Sequence, residues 1–162
     1  MSYENFLINA YFNSLDTDRF NSFREFEANE TIQGIIQKYL EVNSEYPASS
    51  LEEKGTVPAD LMKKLGCNGF FGLTISRKYG GVGLSLRQYL HIVETLASQN
   101  MSLGILALAH LSIGIKGIVL FGNAEQKHKY LVPAASGEMI FSYALTEPQT
   151  GSDARNIQTV AA

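Results

Sequence analysis

The richest run of chemistry-bearing side chains lies at residues 143–153, YALTEPQTGSD. Residues 139–146, MIFSYALT, are β-branched and aromatic and are bounded by turn formers, which predicts a strand. On strand alternation Phe141, Tyr143 and Leu145 share one face, and Ser142, Ala144 and Thr146 the other. The Thr146 hydroxyl then stands at the mouth of the strand. The loop after it offers Gly151 and Ser152, whose amides and hydroxyl can meet an anion, because successive backbone N–H groups in a turn form an anion-binding nest. That set suits a ligand with a flat polar heterocycle and a phosphate. A plain β-turn is the alternative reading of the same residues.

Other candidates carry less. Tyr79-Gly80-Gly81-Val82-Gly83 lacks the Lys-Ser/Thr of a phosphate loop and reads as a turn with positive φ angles. His91, His110 and His128 have no histidine at i+4 and no cysteine nearby, so no metal site is expected. His110, on an apolar helix, reads as a satisfied core histidine. Glu94 reads as a solvated or capping carboxylate, and Lys127-His128-Lys129 as a solvated face. The single cysteine, Cys67, excludes an internal disulfide. It falls just after a helix end, where the dipole disfavours a thiolate.

The elements that must position these groups are mostly helical. Phe20, Phe23 and Phe26, then Ile32, Ile35, Ile36, Tyr39 and Leu40, recur at helical spacing, with a stop expected before Pro47. Residues 46–55 read as a loop. Pro58 opens a short helix that Gly66 closes as a left-handed cap. Phe70, Phe71, Leu73 and Ile75 form a tight apolar cluster. Ser85 and Gln88 make a capping-box pattern for a helix with the stripe Leu86, Tyr89, Leu90, Val93, Leu96 and Ala97. Asn123 and Gln126 repeat the pattern before a short helix through Tyr130, with Pro133 and Gly137 beyond it. Residues from 155 onward read as the start of another strand.

Met101–Phe121 is long enough to span a bilayer. Lys116 and His110 interrupt it, and a lysine near a bilayer centre costs about 2.5–3.5 kcal/mol. It is therefore expected to be a core helix, central to a bundle, with no transmembrane segment. The first ten residues hold no basic stretch leading into an apolar core, so a cytoplasmic protein is expected.

Composition agrees with a folded chain. Of 162 residues, 45% are hydrophobic and 18% charged, enough for a sizeable core. The net charge of −3 argues against nucleic acid as a partner. The expected class is mainly α: a helical domain over residues 1–137, then the opening strands of an incomplete β domain over 138–162. One or two strands do not fold stably alone, so the natural protein is expected to continue.

Four segments in one order resemble the acyl-CoA dehydrogenases: PADLMKKLGCNGFFGLTISRKYGGVGLS, YLHIVETLA, AHLSIGIKGIVLFGNAEQKHKYLVPAASGE and YALTEPQTGSDARNIQT. YALTEPQTGSDA is the most specific. The resemblance implies an N-terminal helical domain, a middle β domain and a C-terminal four-helix bundle, with FAD as cofactor. It implies that Tyr143, Ala144, Leu145, Thr146, Gly151 and Ser152 approach the flavin and its pyrophosphate. Thr146 would lie by the hydride-accepting N5 edge, and Ser152 would also lie beside the acyl-CoA. The helix carrying Ala109 would line the acyl pocket, where Ala107, Gly114 and Gly117 leave room for a long chain. Close helix packing is the other reading of those small residues. The implied base is a glutamate of the C-terminal bundle, so no catalytic residue is assigned to this chain, and neither Glu94 nor Glu147 is taken as a base. Implied partners are the acyl-CoA substrate, an electron-transfer flavoprotein and further copies in a homodimer or homotetramer. An acyl-CoA oxidase and a shortened, non-catalytic helical interaction module are the alternatives.

Overall fold

In the computed structural model, which describes residues 30–160, the first helix is α1 (Glu30–Glu45). Two compact units divide the chain, Met1–Glu30 and Thr31–Ala162; apart from Glu30 the described residues fall in the second. The helical spacing at Phe20, Phe23 and Phe26 lies outside them. Ile32, Tyr39 and Val42 bury one face of α1. The helix stops before Pro47, as expected.

Residues 46–55 are not a loop. Pro47 instead caps α2 (Ala48–Lys54), which ends on left-handed Gly55 at φ 60°. Only Leu51 of this helix is buried, so no apolar period marks it in the sequence. Helix α3 (Ala59–Cys67) starts from Pro58 as its cap. Gly66 is not its left-handed terminus: it lies inside the helix, and a Cβ there would come 2.3 Å from the Ser136 carbonyl oxygen. The residue serves close approach of two elements. The left-handed residue is Gly69, at φ 75°. Cys67 is the last helical residue rather than one beyond the end, and it is exposed.

Phe70, Phe71, Leu73 and Ile75 are all buried, as their clustering predicts. Each such side chain contributes about 1.5–3 kcal/mol by leaving water. The Phe70 ring stacks on Tyr39 at 5.7 Å, which ties this cluster to α1. In the glycine-rich turn after it, Gly80 and Gly83 take φ 82° and 73°.

Helix α4 (Leu86–Gln99) begins with the reciprocal Ser85–Gln88 capping box. Its buried stripe is Tyr89, Ile92 and Leu96. Leu86 and Leu90, expected in the stripe, are 68% and 48% exposed. Asn100 then caps α5 (Met101–Leu108), which runs through a π turn (Ala109–Gly114) into α6 (Lys116–Phe121). This stretch is not central to a bundle. Leu103, Gly104, Ala107, His110, Leu111 and Ile115 are buried, while Ile105, Ile113 and Phe121 are exposed. A Cβ at Gly104 would sit 2.8 Å from the Ala97 Cβ, so α4 and α5 lie close.

Helix α7 (Ala124–Ser136) carries the Asn123–Gln126 capping box. It does not end at Tyr130 but continues through Pro133 to left-handed Gly137, at φ 78°. It lies against α3, α6 and the turn at Phe70–Gly72.

The expected strands do not form among the described residues. Residues 140–147 are irregular, and residues 154–156 make a short 3-10 turn. A strand exists only through a ladder with a neighbour, and among the described residues no segment pairs with this one.

Candidate cofactor site

The segment that carries the predicted site is anchored at its start by His110. This side chain is fully buried. Its Nδ1 accepts the Phe141 N–H at 3.0 Å, and its Nε2 lies 3.2 Å from the Ala134 carbonyl. A carbonyl only accepts, so Nε2 carries the proton and the ring is the neutral Nε2–H tautomer. Burial holds the His110 pKa below its usual 6.5, and backbone contacts at Ala134 and Phe71 partly offset the effect. The core reading of His110 is thus correct, and the ring does more than fill space.

The far end of the segment is anchored by a turn. The Glu147 N–H donates to the Thr150 carbonyl at 2.8 Å, and the Thr150 N–H returns to the Glu147 carbonyl at 3.2 Å. Thr150 is buried, and its hydroxyl donates to the Asp153 carbonyl. The Glu147 carboxylate accepts the amides of Gln158 and Thr159. Those donors, Gln158 first, hold its pKa below the ordinary carboxylate value.

Between the anchors, the amides of residues 142–146 make no hydrogen bond among the described residues, nor do those of Gly151 and Ser152. The Thr146 and Ser152 side chains are exposed. Thr146 and Gly151 meet across the turn: a Cβ at Gly151 would stand 3.6 Å from the Thr146 Cγ2. Gly151 does not hold a positive φ, so its value lies in small size rather than in left-handed backbone. Tyr143 is 58% exposed, Ala144 is exposed and Leu145 is half-buried.

Ala109, half-buried, sits on the π turn beside His110. Gly114, on the same turn, packs against Phe141: a Cβ there would lie 2.5 Å from the Phe141 carbonyl oxygen. Gly104 and Gly114 therefore serve packing, while Gly117 faces open space. No cluster of metal-ligating side chains occurs among the described residues.

Unpaired backbone donors, two free hydroxyls and a glycine without a side chain fit a flat heterocycle with hydrogen-bonding edges and a phosphate. Sequence reasoning missed the parts played by His110 and Glu147. No local spacing links His110 to Phe141, 31 positions away. A carboxylate entering a turn was the available signal for Glu147.

Residues 27–138 match the family described as acyl-CoA dehydrogenase, N-terminal domain, and the chain belongs to the acyl-CoA dehydrogenase family. It is similar to the very long-chain specific acyl-CoA dehydrogenase, mitochondrial, of Homo sapiens, 41% identical over 132 residues, covering 82% of this chain and 20% of that protein. Among solved structures it is similar to butyryl-CoA dehydrogenase from Megasphaera elsdenii, with a TM-score of 0.72 and 30% identity, over 83% of this chain and 37% of that one. It is also similar to an acyl-CoA dehydrogenase complexed with FAD from Bacillus anthracis, with a TM-score of 0.70 and 34% identity, over 83% of this chain and 23% of that one. The chain thus spans well under half the length of the proteins it matches.

Proposed function

We propose that this protein acts as an FAD-dependent acyl-CoA dehydrogenase, introducing a double bond between the α and β carbons of a fatty acyl-CoA thioester. The observation that carries this reading is the row of amides at residues 142–146 that make no hydrogen bond among the described residues, leading into the turn where Thr146 and Gly151 meet. When bound, FAD supplies the two-electron acceptor that no side chain provides.

In this reading Tyr143, Ala144 and Leu145 present backbone and side chain to the flavin ring, and Thr146 donates its hydroxyl to the ring edge. Gly151 leaves space for the pyrophosphate, and Ser152 donates to it while bordering the acyl-CoA. Ala109 borders the acyl chain. The proton-abstracting base is assigned outside these residues, because both oxygens of Glu147 are already occupied by amides. An electron-transfer flavoprotein as electron acceptor, and assembly as a homodimer or homotetramer, complete the proposal.

The test is anaerobic titration of the purified full-length protein with acyl-CoA. A flavin spectrum that bleaches on addition of substrate supports the reading. A protein that retains no flavin, or a flavin that stays oxidised across saturated acyl-CoAs of short to very long chain, removes it.

A further inference from the structure

We propose that His110 is a positioning residue. By holding the Phe141 peptide, it fixes the start of the segment that carries Tyr143, Ala144, Leu145 and Thr146. The inference rests on the reading of that segment as flavin-facing, and goes beyond it by naming the group that aims the segment.

Three observations converge on this role. Both ring nitrogens of His110 are committed to backbone, one to Ala134 in the last turn of α7 and one to Phe141 beyond the Gly137 turn. The imidazole therefore bridges the connection between the helix and the segment, and has no nitrogen left for a proton transfer. The Phe71 ring meets the imidazole edge-on at 5.5 Å, which fixes its plane.

The π turn supplies the second observation. The Ile115 N–H bonds the His110 carbonyl at 3.0 Å, an i→i+5 closure. His110 and Gly114 both bear on Phe141 from this wide turn. His110 takes the N–H of Phe141, and Gly114 backs its carbonyl so closely that no Cβ fits.

The third lies in the span after Phe141. No hydrogen bond holds residues 142–146 among the described residues until the Glu147 N–H reaches Thr150. Phe141 and Glu147 are the two tethers of that span, and His110 holds the first.

Two substitutions separate the two bonds. Asn at 110 keeps an acceptor near the Nδ1 position and loses the Nε2 donor; Gln reaches toward Ala134 as a donor and loses the acceptor for Phe141. In the full-length protein we expect His110→Asn to keep the Phe141 amide protected from hydrogen exchange, and to keep flavin affinity within about twofold. His110→Gln should speed that exchange and weaken flavin affinity about tenfold, the equivalent of one lost hydrogen bond. Gly114→Ala, which leaves His110 intact but displaces the Phe141 carbonyl, should also weaken flavin affinity, and serves where the histidine variants fail to fold. Wild-type flavin affinity in a folded His110→Gln or Gly114→Ala protein overturns the proposal alone. Equal flavin loss in the Asn and Gln variants, tracking their thermal stability, also overturns it. A wild type without flavin affinity overturns the functional reading, and this inference with it.

Discussion

Glu147 and Thr159, twelve positions apart, are joined by a carboxylate–amide bond: Oε1 of the one accepts the N–H of the other at 2.8 Å. The second oxygen takes the Gln158 N–H at 2.9 Å. A carboxylate whose pKa is lowered by folding contributes stability that is present above its unfolded value, about 4.5, and lost as pH falls through the lower folded value. The Gln158 and Thr159 amide resonances should therefore shift together on acidification below about 4.5. Glu147→Gln retains one acceptor oxygen, so it should release one of the two amides at neutral pH. Unmoved resonances in that variant would show that the clamp does not order the loop.

His110 gives a second pH dependence. Its folded pKa lies below 6.5 because burial disfavours the imidazolium. Below 6.5 the unfolded state takes up the proton first, so stability rises with pH through this window. The contribution is complete above 6.5 and lost as pH falls toward and through the depressed folded value. The melting temperature should fall over that range in the wild type, and this component should vanish in His110→Asn. An identical pH profile in the variant would assign the loss to other groups.

Tyr39 and Tyr89 should respond oppositely to loss of their hydroxyls. Both are buried, and burial pushes each pKa up to about 12. The Tyr39 hydroxyl donates to the Leu96 carbonyl at 3.2 Å. The Tyr89 hydroxyl has no partner among the described residues. Tyr39→Phe should cost about 1 kcal/mol and Tyr89→Phe should gain about 1 kcal/mol in urea unfolding. Equal losses for the two would mean that Tyr89 is satisfied.

Asn100 joins α4 to α5 from a nearly closed position, 2% exposed. Its Oδ1 accepts the Leu103 N–H at 3.3 Å, and its amide nitrogen donates to Asn43 at 3.4 Å. Asn100→Ala should destabilise by about 2 kcal/mol, at the upper end for a helix cap. Asn100→Ser keeps a capping oxygen and should cost less. Calorimetry of both variants checks the order.

For the segment itself, Thr146→Val should slow flavin reduction about tenfold to a hundredfold, with little change in melting temperature. Ser152→Ala should weaken flavin retention by about 1 kcal/mol, since neighbouring amides remain. Gly151→Ala should be well tolerated by the backbone, because φ is not positive there, whereas Gly151→Val crowds the Thr146 methyl. Stopped-flow reduction and flavin-to-protein absorbance ratios after dialysis report these effects. A thermal loss in Thr146→Val with reduction unchanged would make Thr146 structural.

Local chemistry was the legible part of the sequence. The Ser85–Gln88 and Asn123–Gln126 boxes, the stop before Pro47 and the buried Phe70–Phe71 cluster each arise from a few adjacent residues. The stripe of α4 was misjudged because apolar residues sit on both sides of the helix, and only packing chooses Ile92 over Leu90. Pro133 reads as a stop, yet it withdraws its donor from the carbonyl of Lys129, an exposed residue where water can replace it. The six positions expected to face a cofactor share one segment and its turn simply because they lie within ten consecutive residues. Their anchoring by His110 was illegible, since it depends on where α7 ends relative to a turn many residues earlier.

The π turn has a consequence for the ancestry and engineering of this helix. A π turn accommodates one more residue than the α turn it replaces, the footprint of a single-residue insertion into an ordinary helix. In an uninterrupted α-helix, at 3.6 residues per turn, one added residue would re-aim everything downstream by about 100°, and the wide turn absorbs that rotation. The directions of Ile118, Leu120 and Phe121 are thus set at residues 109–114 rather than by α6 itself. Closing this turn to α geometry with every residue kept would swing the α6 side chains by about 100°, whereas excising one residue such as Ile113 would restore an uninterrupted α-helix and leave them near their present azimuth.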